Sequence, residues 1–224
     1  IGAGTRIRKP DNAMGEQQVD VFNSTYFFQK DGTVQAHYDK LVPLPFGEYL
    51  PFGKYFPDLA RELNIGDFRA GEVPVTFQGE HARIATPICY EAVLPATCRR
   101  FEDISLLVVV TNDAWFGDTA NPHQHAMLAA TRAMELGVPM VRSASTGVSF
   151  VVEPHGVIHD ETKPYTAVER IVQVRMAKFP TLYARFGDWF VALCGIVLVG
   201  AVARGERPPA LHRLTSFVEH LAVA

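Results

Sequence analysis

Cys89 is the residue of this sequence that is best placed to act as a nucleophile. It follows the run RIATPI, which is typical of a β-strand, and precedes a segment with helical character. A thiol at such a junction faces the backbone N–H groups that begin the helix, and these favour the reactive thiolate. Most cysteines are instead small buried side chains, and Cys98 and Cys194 are interpreted in that way. Cys89 alone is therefore a candidate nucleophile.

Charged residues on both sides of Cys89 stand where they could serve the same chemistry. Lys40 lies between a predicted strand and an aromatic loop, so its ammonium could reach a cleft and stabilise an oxyanion. Glu48 stands among aromatic side chains in PFGEYLPFG, where burial would set it apart from a surface carboxylate. A solvated surface charge is the ordinary alternative for both. Glu91 is either a charge at a helix start or part of the site.

The segment TNDAWFGD (111–118) follows a continuous apolar run over 104–111, typical of a strand buried on both faces. In α/β folds the loops at the carboxyl ends of such strands carry function, so Asn112 and Trp115 are candidate site residues. Trp115 could equally cap the core. Further along, His123 and His125 project roughly 200° apart on a predicted helix and cannot share a metal ion. We therefore predict no metal site.

The elements that must position these residues alternate between strands and helices. A β-hairpin is predicted over 19–28 and 33–38, and two strands are predicted around Gly79. The loop 41–57 contains four prolines and two glycines, which exclude regular structure. The remaining predictions are helices over 58–63, 92–101 and 122–136, the last with Asn121 as N-cap and Gly137 as its end, and strands over 104–111, 138–143 and 147–153. This order predicts a mixed α/β sandwich.

Composition narrows the class of protein. The 224 residues are 48% hydrophobic and 20% charged, which excludes a disordered chain. A net charge of −3, without a long basic run, argues against nucleic-acid binding. Three cysteines are too few for a disulfide framework. The sequence begins at Ile1 with neither an initiator Met nor a signal peptide, so we expect a chain truncated at its N-terminus.

A late apolar segment suggests a membrane anchor. The 15 residues from Trp189 to Ala203 are uncharged. As a helix they would extend roughly 22 Å, against about 30 Å for a hydrocarbon core, so a buried core helix is the alternative. If the flanking arginines snorkel, the span lengthens, and we predict a transmembrane helix over 186–204 with a short tail over 205–224. The flanking charges do not fix its orientation.

Several motifs, read together, resemble the apolipoprotein N-acyltransferases, which are membrane members of the nitrilase superfamily of carbon-nitrogen hydrolases. Their order and spacing match over roughly residues 1–203, although VPLPFGEY carries extra residues in its loop. The motifs are YDKLVPLPFGEYLP (38–51), PICYE (87–91), TNDAWFGD (111–118) and the stretch over 122–156. The resemblance implies an α/β, nitrilase-like four-layer α-β-β-α sandwich over 1–180, lacking its N-terminal part, followed by one C-terminal transmembrane helix.

The resemblance also assigns roles to residues. Cys89 is the expected nucleophile, Lys40 the oxyanion-stabilising lysine, and Glu48 a further acidic residue that the family needs near its active site. The general-base glutamate is expected upstream of Ile1, so we expect this chain by itself to be inactive. Substrate contacts are predicted at Phe46, Tyr49, Tyr90, Glu91, Asn112 and Trp115.

The implied reaction moves a fatty acyl chain from a phospholipid to the N-terminal diacylglyceryl-cysteine of a lipoprotein through a cysteine thioester. It requires no cofactor, and it is expected at the bacterial inner membrane, with the catalytic domain on the periplasmic side. The aromatic loop 41–57 would form a lid over the acyl chain. A soluble amidase of the same superfamily, with water as acceptor, is the main alternative. A catalytically inactive sandwich that serves as a scaffold is the other.

Overall fold

The computed structural model describes residues 2–8, 19–63 and 65–204 of the chain. These residues form two compact units that divide between Ala184 and Arg185. The first unit contains all the strands, and the described part of the second is helical.

A three-stranded antiparallel sheet comes first along the chain, in the order β1-β2-β3. Its strands are β1 (Gly2–Arg8), β2 (Val19–Phe28) and β3 (Val34–Asp39). The pairing of β2 with β3 confirms the predicted hairpin, whereas β1 was not predicted. The Asp31 side chain closes the turn, since it accepts a hydrogen bond from the backbone N–H of Thr33 at 2.9 Å.

A six-stranded sheet follows, in the order β4-β5-β6-β7-β8-β9. Its strands are β4 (Thr76–Gln78), β5 (Arg83–Ala85), β6 (Leu106–Thr111), β7 (Met140–Ala144), β8 (Phe150–Val152) and β9 (Ile158–His159). The central strands β5, β6 and β7 run parallel, so their carboxyl ends meet at one edge. The predicted strands around Gly79 are β4 and β5, and the short β9 was not predicted.

The two sheets pack face to face through aromatic and aliphatic side chains. Phe27 of β2 stacks on Phe77 of β4 with ring centroids 5.4 Å apart. Tyr38 of β3 meets the ring of Phe101 edge to face at 5.3 Å. Leu107 and Val109 of β6 are fully buried in the same core. The buried core therefore includes side chains from both sheets, as the predicted sandwich requires.

The longest helix of the first unit, α3 (Asn121–Leu136), matches the helix predicted over 122–136. Its residues at 122, 125–126, 129–130 and 133 are buried, at the spacing that places them on one face. The helix ends at Gly137, whose φ of 65° is the expected left-handed stop. The predicted N-cap was wrong by one residue: Ala120 precedes the helix, and the N–H of Asn121 donates to the hydroxyl of Thr119.

The helix predicted over 92–101 was wrong in its extent. The chain forms a 3-10 helix over Cys89–Val93 and then the single turn α2 (Pro95–Cys98). Leu94 between them is extended, with φ −100° and ψ 101°. A residue that precedes proline is driven out of the helical region by the proline ring, so Pro95 separates the two turns. Elsewhere, the short helix predicted over 58–63 is α1 (Pro57–Glu62).

Near the end of the described chain, α4 (Leu182–Phe186) precedes α5 (Trp189–Ala203). The 15 residues of α5 include no buried side chain. Within residues 2–8, 19–63 and 65–204, the structure contains no helix with the length and apolar character needed to cross a bilayer. The transmembrane helix predicted over 186–204 is therefore not confirmed, and the tail over 205–224 lies outside the described residues.

Candidate active site

Cys89 lies on a tight turn at the edge where the parallel strands end. After β5, Ile88 makes a parallel bridge with Val110 of β6, so the chain stays beside β6 up to the residue before the cysteine. Cys89 then begins the 3-10 helix with a φ of 51°. This left-handed conformation is unfavourable for a residue with a Cβ and persists only where surrounding contacts enforce it. Its side chain remains partly exposed.

Glu91 fastens this turn to the segment that follows Lys40. It is fully buried. Its Oε2 accepts a hydrogen bond from the N–H of Ile88 at 2.8 Å. Its Oε1 accepts from the Tyr38 hydroxyl at 2.8 Å and from the N–H groups of Leu41 and Val42 at 2.6 and 3.1 Å. Burial raises the pKa of the Glu91 carboxyl, and these hydrogen bonds oppose that shift. The carboxylate thus ties together the two segments that carry Cys89 and Lys40.

Lys40 and Glu48 form a buried ion pair. Lys40 is 1% exposed, and its Nζ donates to Oε2 of Glu48 at 2.7 Å. The second oxygen, Oε1, accepts from the side-chain amide of Asn23 at 2.8 Å. Oε2 also accepts from the N–H of Leu44 at 2.6 Å. The backbone N–H of Lys40 in turn donates to the carbonyl of Asn23. The ammonium is held in one place by a partner that is itself fixed.

Cys89 and Glu48 line one cavity of about 380 Å³ at this edge of the sheet. The carboxyl ends of β6 and β7 supply hydroxyl and amide groups to its wall, and the hydroxyl of Ser145 donates to Oδ1 of Asn112 at 2.7 Å. The lining residues are Asn23, Glu48, Ile88, Cys89, Val110, Thr111, Asn112, Trp115, Ser143, Ala144 and Ser145. The cavity therefore holds a thiol, a carboxylate and a largely neutral polar wall.

The residues predicted to contact substrate fall into two groups. Asn112 and Trp115 line the cavity, and Trp115 is 76% exposed. Phe46, Tyr49 and Tyr90 do not belong to the cavity wall. Phe46 is 67% exposed and Tyr49 and Tyr90 are half-buried.

Glu91, also predicted to contact substrate, is fully buried and does not line the cavity. Its polar contacts described above are with the protein itself, and they shape the turn that carries Cys89. A contact of Glu91 with substrate stays a prediction.

Sequence reasoning missed a buried cluster of charged side chains beneath Cys89. Asp113 accepts hydrogen bonds from Arg142 Nη2 at 2.7 Å and from Thr111 Oγ1 at 2.9 Å, and its Oδ1 lies 2.9 Å from Nδ1 of His125. Nε2 of His125 lies 3.3 Å from the carbonyl oxygen of Cys89. The sequence did contain a signal for this cluster. Arg142 interrupts an apolar strand, and His125 falls on the inward face of α3.

The electrostatics of the cluster centre on Asp113. Burial alone would raise the pKa of this carboxyl, but His125, Arg142 and Thr111 outweigh that effect, and the net shift of the Asp113 pKa is downward. The chain also makes room for the carboxylate: a Cβ at Gly147 would lie 2.0 Å from Asp113 Oδ2. Only glycine fits at that position while the pair with Arg142 is kept.

The comparison with known families agrees with this architecture. The carbon-nitrogen hydrolase family profile matches residues 7–177, so the chain belongs to the carbon-nitrogen hydrolase family and has its nitrilase-like α/β fold. A solved Saccharomyces cerevisiae structure from branch 10 of the nitrilase superfamily superposes with a TM-score of 0.50 and 18% identity. That match covers 72% of this chain and 55% of the yeast chain.

Curated relatives narrow the family further. The chain is 41% identical over 189 residues to an apolipoprotein N-acyltransferase of Bradyrhizobium diazoefficiens, which is 81% of this chain and 35% of that protein. It is 33% identical over 192 residues to an apolipoprotein N-acyltransferase of Geobacter metallireducens, which is 84% of this chain and 37% of that protein. The chain thus spans little more than a third of the length of these relatives.

Proposed function

We propose that this chain carries the catalytic cavity of an apolipoprotein N-acyltransferase, with Cys89, Lys40 and Glu48 in its machinery. The observation that carries the proposal is the cavity itself: Cys89 and Glu48 line it together, and Glu48 holds the ammonium of Lys40 at 2.7 Å. Its support from sequence is the 41% identity to a relative of that name. A thiol that shares a cavity with the partner of a fixed cation suits acyl transfer through a thioester.

The proposed reaction has two halves. In the first, the Cys89 sulfur attacks the ester carbonyl of a phospholipid, the ester C–O bond breaks, and the lysophospholipid leaves with a proton. In the second, the amine of a diacylglyceryl-cysteine attacks the thioester, a C–N bond forms, and the C–S bond breaks to restore the thiol. The resemblance assigns the proton transfers to a glutamate that acts as general base.

Lys40 would stabilise the oxyanion in both halves, since each passes through a tetrahedral intermediate with a negatively charged oxygen. Glu48 holds the ammonium in one orientation through the 2.7 Å contact with its Oε2. Because Lys40 is 1% exposed, loss of its partner would leave a buried charge uncompensated, which is strongly unfavourable. Glu48 therefore serves the reaction through Lys40 as well as by lining the cavity.

The exposed aromatic side chains fit a lipid substrate. Phe46 and Phe52 are 67% and 75% exposed, and both adopt a φ of 62°, so the loop presents them outward at some conformational cost. Trp115 at the cavity mouth is also exposed. We propose that this loop covers the acyl chain and keeps water from the thioester. Attachment to the inner membrane through the apolar helix α5, with the cavity on the periplasmic side, belongs to the same proposal.

The test uses the complete protein in phospholipid vesicles without an acceptor. Intact mass is measured for the unaltered protein and for C89A, with C98A as a matched control because Cys98 is buried away from the cavity. A mass increase of one fatty acyl group is expected on the unaltered protein and on C98A, and not on C89A. Addition of a diacylglyceryl-modified lipopeptide should then discharge the adduct and yield the N-acylated peptide.

A different pattern would point to the amidase alternative. If no adduct accumulates, and short amides release ammonia at a rate that depends on Cys89, water is the acceptor and the transferase proposal fails. If C89A still acquires the acyl group, another residue is the nucleophile, and the assignment of Cys89 is refuted.

A further inference from the structure

His125 of α3 approaches the backbone of the nucleophile from the interior. Its ring is buried, with Phe116 edge-on at a centroid distance of 5.6 Å. Nε2 lies 3.3 Å from the carbonyl oxygen of Cys89, and Nδ1 lies 2.9 Å from Oδ1 of Asp113. The ring therefore bridges the nucleophile turn and the loop that follows β6.

The partners of the ring define where one of its protons must be. A carbonyl oxygen accepts hydrogen bonds and cannot donate, so Nε2 must carry a proton to bind Cys89. Nδ1 lies 2.9 Å from an acceptor, Asp113 Oδ1, and 3.1 Å from a donor, Arg142 Nη2, so it keeps a hydrogen-bond partner with or without a proton.

We propose that His125 is a positioning residue for Cys89: it holds the Cys89 carbonyl through Nε2–H, while Asp113 and Arg142 hold the ring at Nδ1. The inference builds on the proposed role of Cys89 as nucleophile. It explains how a cysteine with a φ of 51° is kept in place, since the bond restrains the peptide group that follows the strained residue. Glu91 restrains the residue before it through the N–H of Ile88.

Two opposite charges face the ring. Asp113, from the loop after β6, contributes one negative charge, and Arg142, from β7, contributes one positive charge. Phe116 and the Cys89 carbonyl are uncharged. Burial lowers the pKa of the Arg142 guanidinium, whereas Asp113 and the Cys89 thiolate favour its charged form.

Two substitutions separate the two ring nitrogens. In H125Q the side-chain amide nitrogen reaches roughly the place of Nε2 and can still donate to the Cys89 carbonyl. In H125N the amide nitrogen reaches roughly the place of Nδ1, so it can bind Asp113 but not Cys89. H123N is the matched control, because His123 lies on the same helix and is exposed.

The readout is the rate at which iodoacetamide alkylates Cys89 in the complete protein carrying C194A, which removes the exposed thiol of α5. Cys98 does not interfere, because burial raises the pKa of its thiol to about 12. Alkylation needs no phospholipid, so it reports on the nucleophile even if the transferase proposal fails. We expect H125N to slow alkylation about 10- to 100-fold, H125Q to remain within about 3-fold of the parent, and H123N to match it.

A measurement on the unaltered ring keeps the inference testable if the variants do not fold. Histidine labelled with ¹⁵N and cysteine labelled with ¹³C at the carbonyl allow solid-state NMR to select the nitrogen beside the Cys89 carbonyl through their dipolar coupling. The nitrogen beside the Cys89 carbonyl, Nε2, should carry a proton. An Nε2 without a proton, or equal alkylation rates for H125N and H125Q, would overturn the proposal.

Discussion

Removal of the Glu91 carboxylate should destabilise the fold and the site together. The carboxylate accepts four hydrogen bonds from buried groups, namely the Tyr38 hydroxyl and the N–H groups of Leu41, Val42 and Ile88. In E91A these donors lose their acceptor. A buried donor left unpaired costs about 1–3 kcal/mol, so even the lower value gives a loss of about 4 kcal/mol in the free energy of unfolding.

A conservative variant provides the finer comparison. In E91Q the amide oxygen can replace Oε1 and keep three of the four hydrogen bonds. The amide nitrogen then faces the N–H of Ile88, so one donor opposes another, and we expect a loss of about 1–3 kcal/mol. E102Q is the control, since Glu102 is exposed and a surface change of this kind costs less than about 0.5 kcal/mol.

Pulse proteolysis of the complete protein in detergent, over a denaturant series, measures these free energies. The expected order of stability is the unaltered protein and E102Q together, then E91Q, then E91A. A value for E91A within about 1 kcal/mol of the unaltered protein would show that the four donors find other acceptors. In that case the carboxylate would not be what holds the Lys40 segment to the Cys89 turn.

Three further predictions concern the cluster beneath Cys89 and the aromatic loop. In G147A the new Cβ would lie 2.0 Å from Asp113 Oδ2, so the free energy of unfolding should fall by about 2–4 kcal/mol. The control G195A, in which the added Cβ meets open space, should show no such loss. Because the Asp113 pKa is lowered from 3.8, the stability that the carboxylate contributes is present above pH 3.8 and is lost as the pH falls through the folded-state pKa. D113N should remove this part of the dependence of the unfolding free energy on pH. An unchanged dependence on pH in D113N would contradict the prediction. F46A and F52A should slow acyl-enzyme formation in vesicles relative to F28A, an equally exposed control, and equal rates in all three would refute the lid.

Periodicity and turn chemistry were sufficient to predict much of the fold. The hairpin of β2 and β3, the buried strand β6 and the helix α3 each have a strong local signal in spacing or capping residues. The errors in the predicted helices and strands arose where a single proline interrupted a helix or where a strand was very short. Pro95 split the helix predicted over 92–101. The strand β9 has only two residues, too few to show any alternation.

The site was less accessible to the same reasoning, for a physical reason. Cys89 and Glu48 could be nominated from their local settings, and the structure places them on one cavity. The contacts of Glu91 and His125 depend on partners that lie 50 and 36 residues away along the chain. No local pattern encodes such pairs. A buried charge in an apolar strand, as at Arg142, signals only that some partner exists.

The strained turn at Cys89 depends on elements that are distant in sequence. Its φ of 51° is unfavourable for any residue with a Cβ, and the turn itself contains no glycine to relieve it. Glu91 anchors the residue before it to the segment after β3, and His125 reaches its carbonyl from α3. Because both anchors are buried side chains, substitutions that never touch substrate should still change the reactivity of the thiol. The conformation of Cys89 is thus enforced by the folded core, and we expect it to be lost before the secondary structure is lost.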